Sequence, residues 1–496
     1  MALATLFSRA QLGIDAPQVR VEVHLSGGLP TFSIVGMAET AVRESRERVR
    51  SALMLSGFDY PQRRITVSLA PADIPKEGGR YDLAIALGIL QASNQINSPH
   101  FSRIELYAEL GLDGQLRPVQ GLFPALLSCQ KAQRVGVIAP VQRAQADLAG
   151  AAVLDNGADL LSVCERLQLS CIKVIDPQQR LFERTSSSPD FAQIRGQANA
   201  RFALEVAAAG SHNLLMQGPP GSGKSLLAHA LPSILPPLTA DQARESAAIH
   251  SISGKPVDTL ISGLPPIRAP HHSASAAAII GGGSTPKPGE VSLAHNGVLF
   301  LDEVAESSRA TLDMLREPLE TGSVSIARVA ARFSFPARFM LIAAMNPCPC
   351  GYYGDGSERC VCALSAIERY QGRLSGPLRD RFDIQLNLEA VEHSVLLKVQ
   401  STSETSAQIS ERVLAARSRQ LARQGCLNAA LDINGVQQLL AHSGALQTLY
   451  INASKQLSLS ARSTYRLLRV ARTLADLAKS EQVEEDHLLA ALSYRH

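Results

Sequence analysis

The chain has 496 residues, of which 45% are hydrophobic and 19% are charged, and it carries a formal net charge of +3. This length suffices for two or three domains with their own cores, and the composition is that of a folded protein rather than a disordered or fibrous one. Aromatic residues make up 4% and tryptophan is absent, which argues against a base-stacking platform, while the small net charge neither requires nor excludes nucleic acid.

The N-terminal residues carry no long apolar segment of the kind found in signal peptides, and no apolar run approaches the length of a membrane span. We therefore expect a cytoplasmic protein with no membrane partner. In this reducing compartment, clustered cysteines indicate a metal site more often than a disulfide.

The first part of the chain predicts an α/β domain over residues 1–183. The stretches "VRVEVHL", "RRITVSLA" and "RVGVIAP" have the composition of strands, and "TAVRESRERVRSALMLSG" has helical spacing that ends at a glycine. The Ser/Pro-rich stretch "ERTSSSPDF" has no apolar period and predicts a linker, which we place at residues 184–194.

The second part predicts an α/β core over residues 195–390 and a helical domain over residues 391–496. Its first segment reads as helix, strand, glycine-rich loop and helix. From about Val391 onward, stretches such as "SERVLAARSRQLARQG" and "STYRLLRVARTLADLAKS" carry apolar residues at helical spacing.

The glycine-rich loop "GPPGSGKS" matches the phosphate-binding pattern G-x-x-x-x-G-K-[ST], between a strand-like and a helix-like stretch. Glycines let backbone N–H groups face the phosphates, a lysine reaches the β- and γ-phosphates, and a hydroxyl holds Mg²⁺. The alternative is a Gly/Pro-rich turn that happens to end in Lys-Ser. The predicted nucleotide-binding residues are Gly218, Pro219, Pro220, Gly221, Ser222, Gly223, Lys224 and Ser225.

Two further motifs favour nucleotide binding over a chance turn. The apolar run "GVLFLDE" ends in Asp302, which would complete the Mg²⁺ shell with Ser225, and in Glu303, which would polarise the attacking water. The run "FMLIAAMN" ends in Asn346, where a polar side chain can orient water near the γ-phosphate, although a lone asparagine at a strand end is more often a turn former.

Downstream, "SGPLRDRFD" contains Arg379 and Arg381. An arginine that reaches the γ-phosphate on a neighbouring subunit stabilises the charge of the transition state. The alternative is a surface arginine paired with Asp380 or Asp383.

The order of these motifs resembles that of AAA+ ATPases, and "APHHSASAAAIIGGG" narrows the resemblance to the magnesium-chelatase-like group. Over essentially its whole length the chain resembles the YifB/ComM family. The resemblance implies an α/β chain with three parts: an N-terminal Lon-protease-like domain of the ribosomal S5-like fold, a central AAA+ P-loop NTPase core and a C-terminal helical lid. It also implies a homo-hexamer that uses ATP and Mg²⁺.

By the same resemblance, Lys224, Ser225, Asp302 and Glu303 form the nucleotide site, and Asn346 is the sensor-1 residue. Arg381 is the arginine finger, with Arg379 as its alternative. Arg462 is the sensor-2 arginine, but Arg466 lies one turn further along the same predicted helix, and either one also reads as a helix-surface residue.

The resemblance to Lon proteases does not extend to their catalytic residues. The position of the nucleophilic serine is occupied by Arg80, and the position of the catalytic lysine by Phe123. A Ser–Lys dyad requires a nucleophile and an amine base within hydrogen-bond reach, so we expect a non-proteolytic domain.

Four of the eight cysteines are gathered in "CPCGYYGDGSERCVC", residues 348–362. Four soft ligands in one loop suit a structural Zn²⁺ in tetrahedral geometry, although the Cys-x-Cys spacing is tighter than usual. A redox pair or four unrelated thiols are the alternatives. The predicted zinc ligands are Cys348, Cys350, Cys360 and Cys362.

The substrate that the motor moves is the least determined feature of the sequence. Lys287 lies in a Gly-rich loop, and Arg328 and Arg332 lie in the hairpin-like stretch "GSVSIARVAARFSFPAR", where they could follow a phosphate backbone or simply pack on a neighbouring element. The family resemblance implies a DNA motor of the helicase and branch-migration type, acting on single-stranded or branched DNA in homologous recombination during natural transformation, with a recombinase among its partners. A chaperone-like ATPase that remodels proteins is the alternative, and a chelatase subunit is less well supported.

Overall fold

The structure is a computed structural model that describes residues 3–178, 188–283, 286–327, 332–356, 358–391, 404–457 and 459–495. Parallel and antiparallel sheets are both present, so the predicted α/β class is confirmed. The strands of these residues are β1 (Leu3–Arg9), β2 (Gln18–Ser26), β3 (Thr31–Val35), β4 (Arg64–Ala70), β5 (Ile104–Tyr107), β6 (Glu109–Leu110), β7 (Leu116–Arg117), β8 (Val135–Ile138), β9 (Val153–Leu154), β10 (Val174–Ile175), β11 (Leu214–Gln217), β12 (Ile267–Arg268), β13 (Gly281–Gly282), β14 (Lys287–Pro288), β15 (Val298–Leu301), β16 (Ser323–Ala327), β17 (Arg332–Pro336), β18 (Met340–Met345) and β19 (Ile384–Asn387).

Helices connect the strands and form the C-terminal part of the chain. The α-helices of the described residues are α1 (Thr40–Arg43), α2 (Ser45–Leu55), α3 (Asp82–Ala92), α4 (Leu122–Lys131), α5 (Arg143–Ala149), α6 (Leu160–Gln168), α7 (Ala198–Gly210), α8 (Lys224–Ala230), α9 (Ala240–Ile252), α10 (Asp258–Ile261), α11 (Ala276–Ile280), α12 (Glu290–Leu293), α13 (Arg309–Met314), α14 (Arg316–Thr321), α15 (Leu364–Gln371), α16 (Gly376–Arg379), α17 (Ser406–Gln424), α18 (Ile433–Gln438), α19 (Gly444–Gln456), α20 (Ala461–Leu477) and α21 (Glu485–Leu492). None of the described helices combines the length and apolarity that a bilayer span requires.

The first of two compact units comprises Met1–Glu183 together with Thr239–Gly263. Its two four-stranded sheets have the orders β1–β2–β4–β3 and β10–β9–β8–β5. The valines of β2 (Val19, Val21 and Val23) are buried and alternate with more exposed polar residues, as expected for a strand with one covered face. Helix α3 is buried along almost its whole length, and a β-carbon at Gly88 would lie 2.5 Å from a methyl group of Val23, so only glycine allows this approach of helix and sheet.

The segment Thr239–Gly263 lies within the range predicted for the ATPase core, but it packs with the N-terminal unit. Helix α9 begins at a Thr239 capping box, and its last turn contacts the start of α4. The Gly121 N–H donates to the Ser251 carbonyl (3.1 Å), and the Phe123 N–H donates to the Ser251 hydroxyl (3.2 Å). The chain therefore passes from one unit to the other more than once.

These contacts lie beside the residues that the sequence analysis aligned with a Lon active site. The Arg80 side chain is buried and donates to the Gln11 amide oxygen (2.9 Å) and to the Gln120 carbonyl, and the Phe123 side chain is fully buried. At the two positions that the resemblance assigns to a Lon dyad, Arg80 and Phe123 thus supply neither a nucleophile nor a general base. The non-proteolytic role of this domain stays a prediction.

The second unit comprises Arg184–Leu238 and Leu264–His496, and its sheet has the order β12–β15–β18–β11–β19. All of these strands pair in parallel. Their carboxyl ends therefore meet at one edge, the usual place for a ligand site in such a sheet. Helices α7, α17 and α20 share one hydrophobic core with this sheet.

Candidate nucleotide site and cysteine cluster

The phosphate loop joins β11 to α8 at the carboxyl edge of the parallel sheet. Gly221 and Gly223 have φ angles of +79° and +87°, a conformation that side chains disfavour, and a β-carbon at either would meet only open space. The loop can therefore turn its N–H groups toward a ligand, and Lys224 begins the helix whose N-terminus faces the same side.

Lys224 bridges the phosphate loop to the next strand. Its Nζ donates to the carbonyls of Gly218 (2.7 Å) and Pro219 (2.9 Å) and to Asn346 Oδ1 (3.2 Å). Burial lowers the pKa of this ammonium group, whereas Asp302 and Glu303 act in the opposite direction. The predicted sensor-1 asparagine is thus brought against the phosphate-binding lysine.

The predicted magnesium residues are also brought together. The Ser225 hydroxyl donates to Asp302 Oδ2 at 2.7 Å, and Asp302 Oδ1 accepts from the Glu303 N–H at 2.9 Å. A hydroxyl in the first turn of α8 and a carboxylate that follows β15 form a hard-oxygen donor set of the kind that Mg²⁺ prefers. These residues fit the metal, and Ser225 and Asp302 would hold it.

Glu303 has a contact that motif reading did not identify. His272 Nδ1 lies 3.1 Å from Glu303 Oε2. The stretch that contains His271 and His272 served the sequence analysis only as a family motif, because their distance from Glu303 along the chain conceals the proximity. The strand pairing of β12 with β15 creates it, since His272 follows the first strand and Glu303 the second.

The predicted arginine finger and the predicted sensor-2 arginine meet on one carboxylate. Arg381 Nη2 donates to Glu320 Oε2 (2.8 Å), and Arg462 Nη2 donates to Glu320 Oε1 (2.8 Å). The Arg381 side chain is only 9% exposed, whereas that of Arg462 is 64% exposed. Burial lowers the pKa of Arg381.

The alternative arginines have different surroundings. Arg466 Nη1 donates to Asp383 Oδ1 (2.7 Å). The buried Asp383, which was considered as an ion-pair partner for the arginine-finger candidates, is therefore paired with Arg466. Arg379 is half-buried, and its Nε has no hydrogen-bond partner among the described residues. The choices between Arg381 and Arg379, and between Arg462 and Arg466, stay predictions.

The four predicted zinc ligands form one cluster. Their sulfur atoms all lie within 4.8 Å of one another. The Cys348 Sγ is 3.3 Å from that of Cys350 and 3.8 Å from that of Cys360, and Cys350 and Cys360 are 3.6 Å apart. A hydrogen bond from the Tyr352 backbone, reinforced by one from the Cys348 thiol, lowers the pKa of the Cys350 thiol to about 6.

The cysteine loop also touches the nucleotide site. A β-carbon at Gly351 would lie 2.6 Å from Pro220 Cδ, so the two loops are in direct contact. Asn346 is separated from the first cysteine only by Pro347, whose carbonyl accepts from the Gln371 side chain at 2.9 Å. Motif reading placed the cysteines after Asn346 along the chain but did not predict their contact with the phosphate loop.

The candidate DNA-binding residues are only partly described. Strands β16 and β17 form the predicted antiparallel hairpin, with Ala327 opposite Arg332. Lys287 is exposed on β14, which pairs with the glycine strand β13. Arg328 lies outside the described residues, so the structure does not bear on it.

Comparison with known proteins accounts for nearly the whole chain. Residues 190–396 match the family model described as magnesium chelatase, subunit ChlI, residues 21–143 match subunit ChlI of Mg-chelatase, and residues 403–495 match the ChlI C-terminal model. Over its full length the chain is 44% identical to the Competence protein ComM of Haemophilus influenzae, of which it covers 98%. The chain belongs to the YifB/ComM family.

Other relatives agree with this membership. This YifB/ComM protein is 43% identical to YifB of Escherichia coli, covering 97% of that chain. The magnesium-chelatase 38 kDa subunit of Cereibacter sphaeroides is 24% identical over 62% of this chain. The similarity to the YifB/ComM relatives thus extends over both compact units, whereas the Cereibacter chelatase subunit matches a smaller part of the chain.

Proposed function

We propose that this protein is an ATPase that works as a hexameric DNA motor of the helicase type and drives branch migration in homologous recombination during natural transformation. The observation that carries the ATPase part is the convergence of Lys224, Asn346, Ser225 and Asp302 at one edge of the parallel sheet. The name of the Haemophilus relative supports the role in competence.

ATP, when bound, supplies the terminal phosphoryl group whose transfer to water drives a motor. The phosphate loop and Lys224 would hold the phosphates, and Ser225 and Asp302 would hold Mg²⁺. Glu303 would accept the proton of the attacking water, and Asn346 would orient that water.

A ring is supported by the arginines that meet on Glu320. Among the residues that the structure describes, neither Arg381 nor Arg462 forms a hydrogen bond or ion pair with the phosphate loop of its own chain, whereas both donate to the carboxylate of Glu320. Arginines held together in this way are suited to bind the terminal phosphate of a nucleotide on a second copy of the chain. We therefore assign both to action between subunits, with Arg381 as the finger and Arg379 as its alternative.

We propose a structural Zn²⁺ at Cys348, Cys350, Cys360 and Cys362. Zinc–sulfur bonds of about 2.3 Å in a tetrahedron place the sulfurs about 3.8 Å apart. The observed separations of 3.3 to 3.8 Å are close to this spacing. The reduced thiols and the use of ATP both suit a cytoplasmic protein.

The DNA contacts are proposed for Lys287, Arg328 and Arg332, in agreement with the exposure of Lys287 and the hairpin that carries Arg332. Cations on small loops can follow a phosphate backbone without reading the bases. Single-stranded or branched DNA is the expected substrate, and recombination proteins such as a recombinase are the expected partners.

The decisive experiment measures ATP turnover with and without single-stranded DNA at two salt concentrations. A DNA motor should be stimulated, and the stimulation should weaken at higher salt because phosphate contacts release counterions. Branch migration on a four-way junction would then be tested directly. Unchanged turnover in a preparation shown to form rings would instead favour an ATPase that remodels protein complexes.

A further inference from the structure

The tight Cys-x-Cys spacing of the cysteine loop determines which side chains the loop turns outward. The four thiols of its two pairs converge on one centre, with their sulfur atoms within 4.8 Å of one another. Pro349 and Val361, the residues between the members of each pair, are both exposed. Two thiols that point inward on either side of a single residue leave its side chain no room on the inner side. The spacing therefore presents an apolar residue to solvent at each pair.

The residues turned outward are unusually apolar. Val361 is 88% exposed, the largest fraction among the large apolar residues that the structure describes. Leu364, at the start of α15, is 69% exposed, and Tyr353 is 44% exposed. Single exposed apolar residues are ordinary, but several of them gathered on one loop indicate an interaction surface. We refer to Pro349, Tyr353, Val361 and Leu364 as the loop patch.

The charge around the loop patch does not suit nucleic acid. From residue 348 to residue 372 the sequence has two arginines and three carboxylates, which gives a net charge of −1. One of these arginines, Arg359, already donates to Asp355 at 2.8 Å. A phosphate backbone is attracted by an excess of cations, which this segment lacks. The patch is therefore better suited to a protein surface.

The position of the loop identifies that protein surface. Gly351 stands directly against Pro220 of the phosphate loop. Under the proposed function, Arg381 of a second copy reaches the terminal phosphate that the phosphate loop holds. An arginine side chain is only a few bonds long, so the backbone of the second copy must come close to the phosphate loop and to the element packed against it. The loop patch is thus continuous with the surface that the second copy has to approach.

We propose that the loop patch docks a second copy of this chain in the ring, so that the cysteine loop is a subunit-contact element beside the shared nucleotide site. Burial of its apolar side chains stabilises the assembly. A loop held by four converging thiols also loses little conformational freedom on docking. The contact joins two different surfaces, and such heterologous contacts can close into rings. The inference rests on the proposed hexameric function and assigns a surface to its subunit contact.

The test measures ring assembly of full-length variants over a dilution series, by mass photometry with a non-hydrolysable ATP analogue. The double substitution Val361→Ser with Leu364→Ser should raise the concentration for half-maximal assembly by about tenfold or more, because two large apolar side chains lose their burial. Val361→Ile keeps a branched apolar side chain and should assemble at least as well as wild type. Val141→Ser, at a valine of the N-terminal unit that is 77% exposed, is the matched control and should assemble as wild type does.

Two further readouts separate docking from folding and identify the occupant. The thermal midpoint of the dilute, unassembled double variant should equal that of wild type, because both replaced side chains are exposed in the single chain. Its turnover per chain should recover as the protein concentration is raised, since only the association is weakened. A photo-crosslinking amino acid in place of Val361 should join two chains, even when single-stranded DNA is present.

The outcomes separate the docking role from the function on which it rests. If wild type forms rings and the double variant forms them at the same concentration, the docking role is overturned while the ring stands. The same holds if Val141→Ser is equally impaired, or if the crosslinker joins the chain to DNA alone. If wild type with nucleotide stays monomeric at every concentration, the hexamer of the proposed function fails, and the docking role fails with it.

Discussion

Gly351 of the cysteine loop lies directly against Pro220 of the phosphate loop, and a β-carbon at Gly351 would stand 2.6 Å from the proline Cδ and 2.7 Å from its Cγ. Non-bonded carbon atoms do not approach each other this closely, so a side chain at Gly351 must displace one of the two loops. The folding of the cysteine cluster and the shape of the nucleotide site are therefore mechanically connected.

We predict that Gly351→Ala weakens ATP binding by about tenfold, since moving Pro220 shifts N–H groups that face the phosphates. Gly354→Ala is a matched control, because Gly354 has a similar φ (+78° against +88°) but open space around its α-carbon. Both variants share the backbone strain, and only one has the clash. Equal nucleotide affinities, measured by titration with a fluorescent analogue, would contradict the proposed connection.

Lys224→Ala should abolish nucleotide binding or turnover, because the ammonium group is the buried cation of the phosphate loop. Glu303→Gln should instead bind ATP without hydrolysing it and should accumulate as assembled rings, since only the base is removed. Equilibrium nucleotide binding and mass photometry distinguish the two. Normal hydrolysis by the Lys224 variant would show that the site lies elsewhere.

The paired substitution of Cys348 and Cys350 by serine should release about one zinc ion per chain and lower the thermal midpoint, because metal binding at such a site contributes folding free energy. Elemental analysis of the purified protein measures the metal. Cys171→Ser, at an exposed free cysteine of the N-terminal unit, should keep the full content. A wild-type protein without zinc, purified in the absence of chelators, would refute the assignment.

Replacing Glu320 by alanine should lower turnover in assembled rings about fivefold, equivalent to about 1 kcal/mol, because Arg381 and Arg462 lose the carboxylate that holds them together. The effect on unfolding should be small, since the Glu320 side chain is 53% exposed. Glu317→Ala, one turn earlier on α14, is the control. Turnover unchanged by Glu320→Ala would mean that the pairing has no part in hydrolysis.

Asp383 should make the stability of the second unit sensitive to acid. Burial raises the pKa of this carboxyl, but Arg466 and His212 outweigh it and hold the pKa well below its usual value. The unfolded chain therefore binds this proton more readily than the folded protein does. The stabilisation that ionised Asp383 gives to the fold is complete above the pKa of the carboxyl in the unfolded chain, and it is lost as the pH falls through the pKa in the folded protein.

Accordingly, Asp383→Asn should destabilise the protein by about 3 kcal/mol at pH 7, since it leaves the partly buried Arg466 without its carboxylate partner. It should also flatten the dependence of the unfolding free energy on pH below about 5. Denaturant titrations across this range measure both. Asp241→Asn, at a side chain that is 89% exposed, should change neither.

Short-range sequence patterns account for much of the molecule. The phosphate loop, the carboxylates after β15 and the cysteine cluster are each encoded within a few consecutive residues or a single loop. Their local chemistry therefore identifies them before any folding is considered. The predicted α/β class and family are confirmed for the same reason, because strand and helix periods and motif order are readable along the chain.

Only the tertiary structure decided how these pieces cooperate. The contacts of His272 with Glu303, of Gly351 with Pro220 and of Glu320 with two arginines join residues that are far apart in the chain. The packing of Thr239–Gly263 with the N-terminal unit is a property of the same kind. Sequence periodicity reports which face of an element is buried, but the strand order and the packing of loops select which distant residues become neighbours.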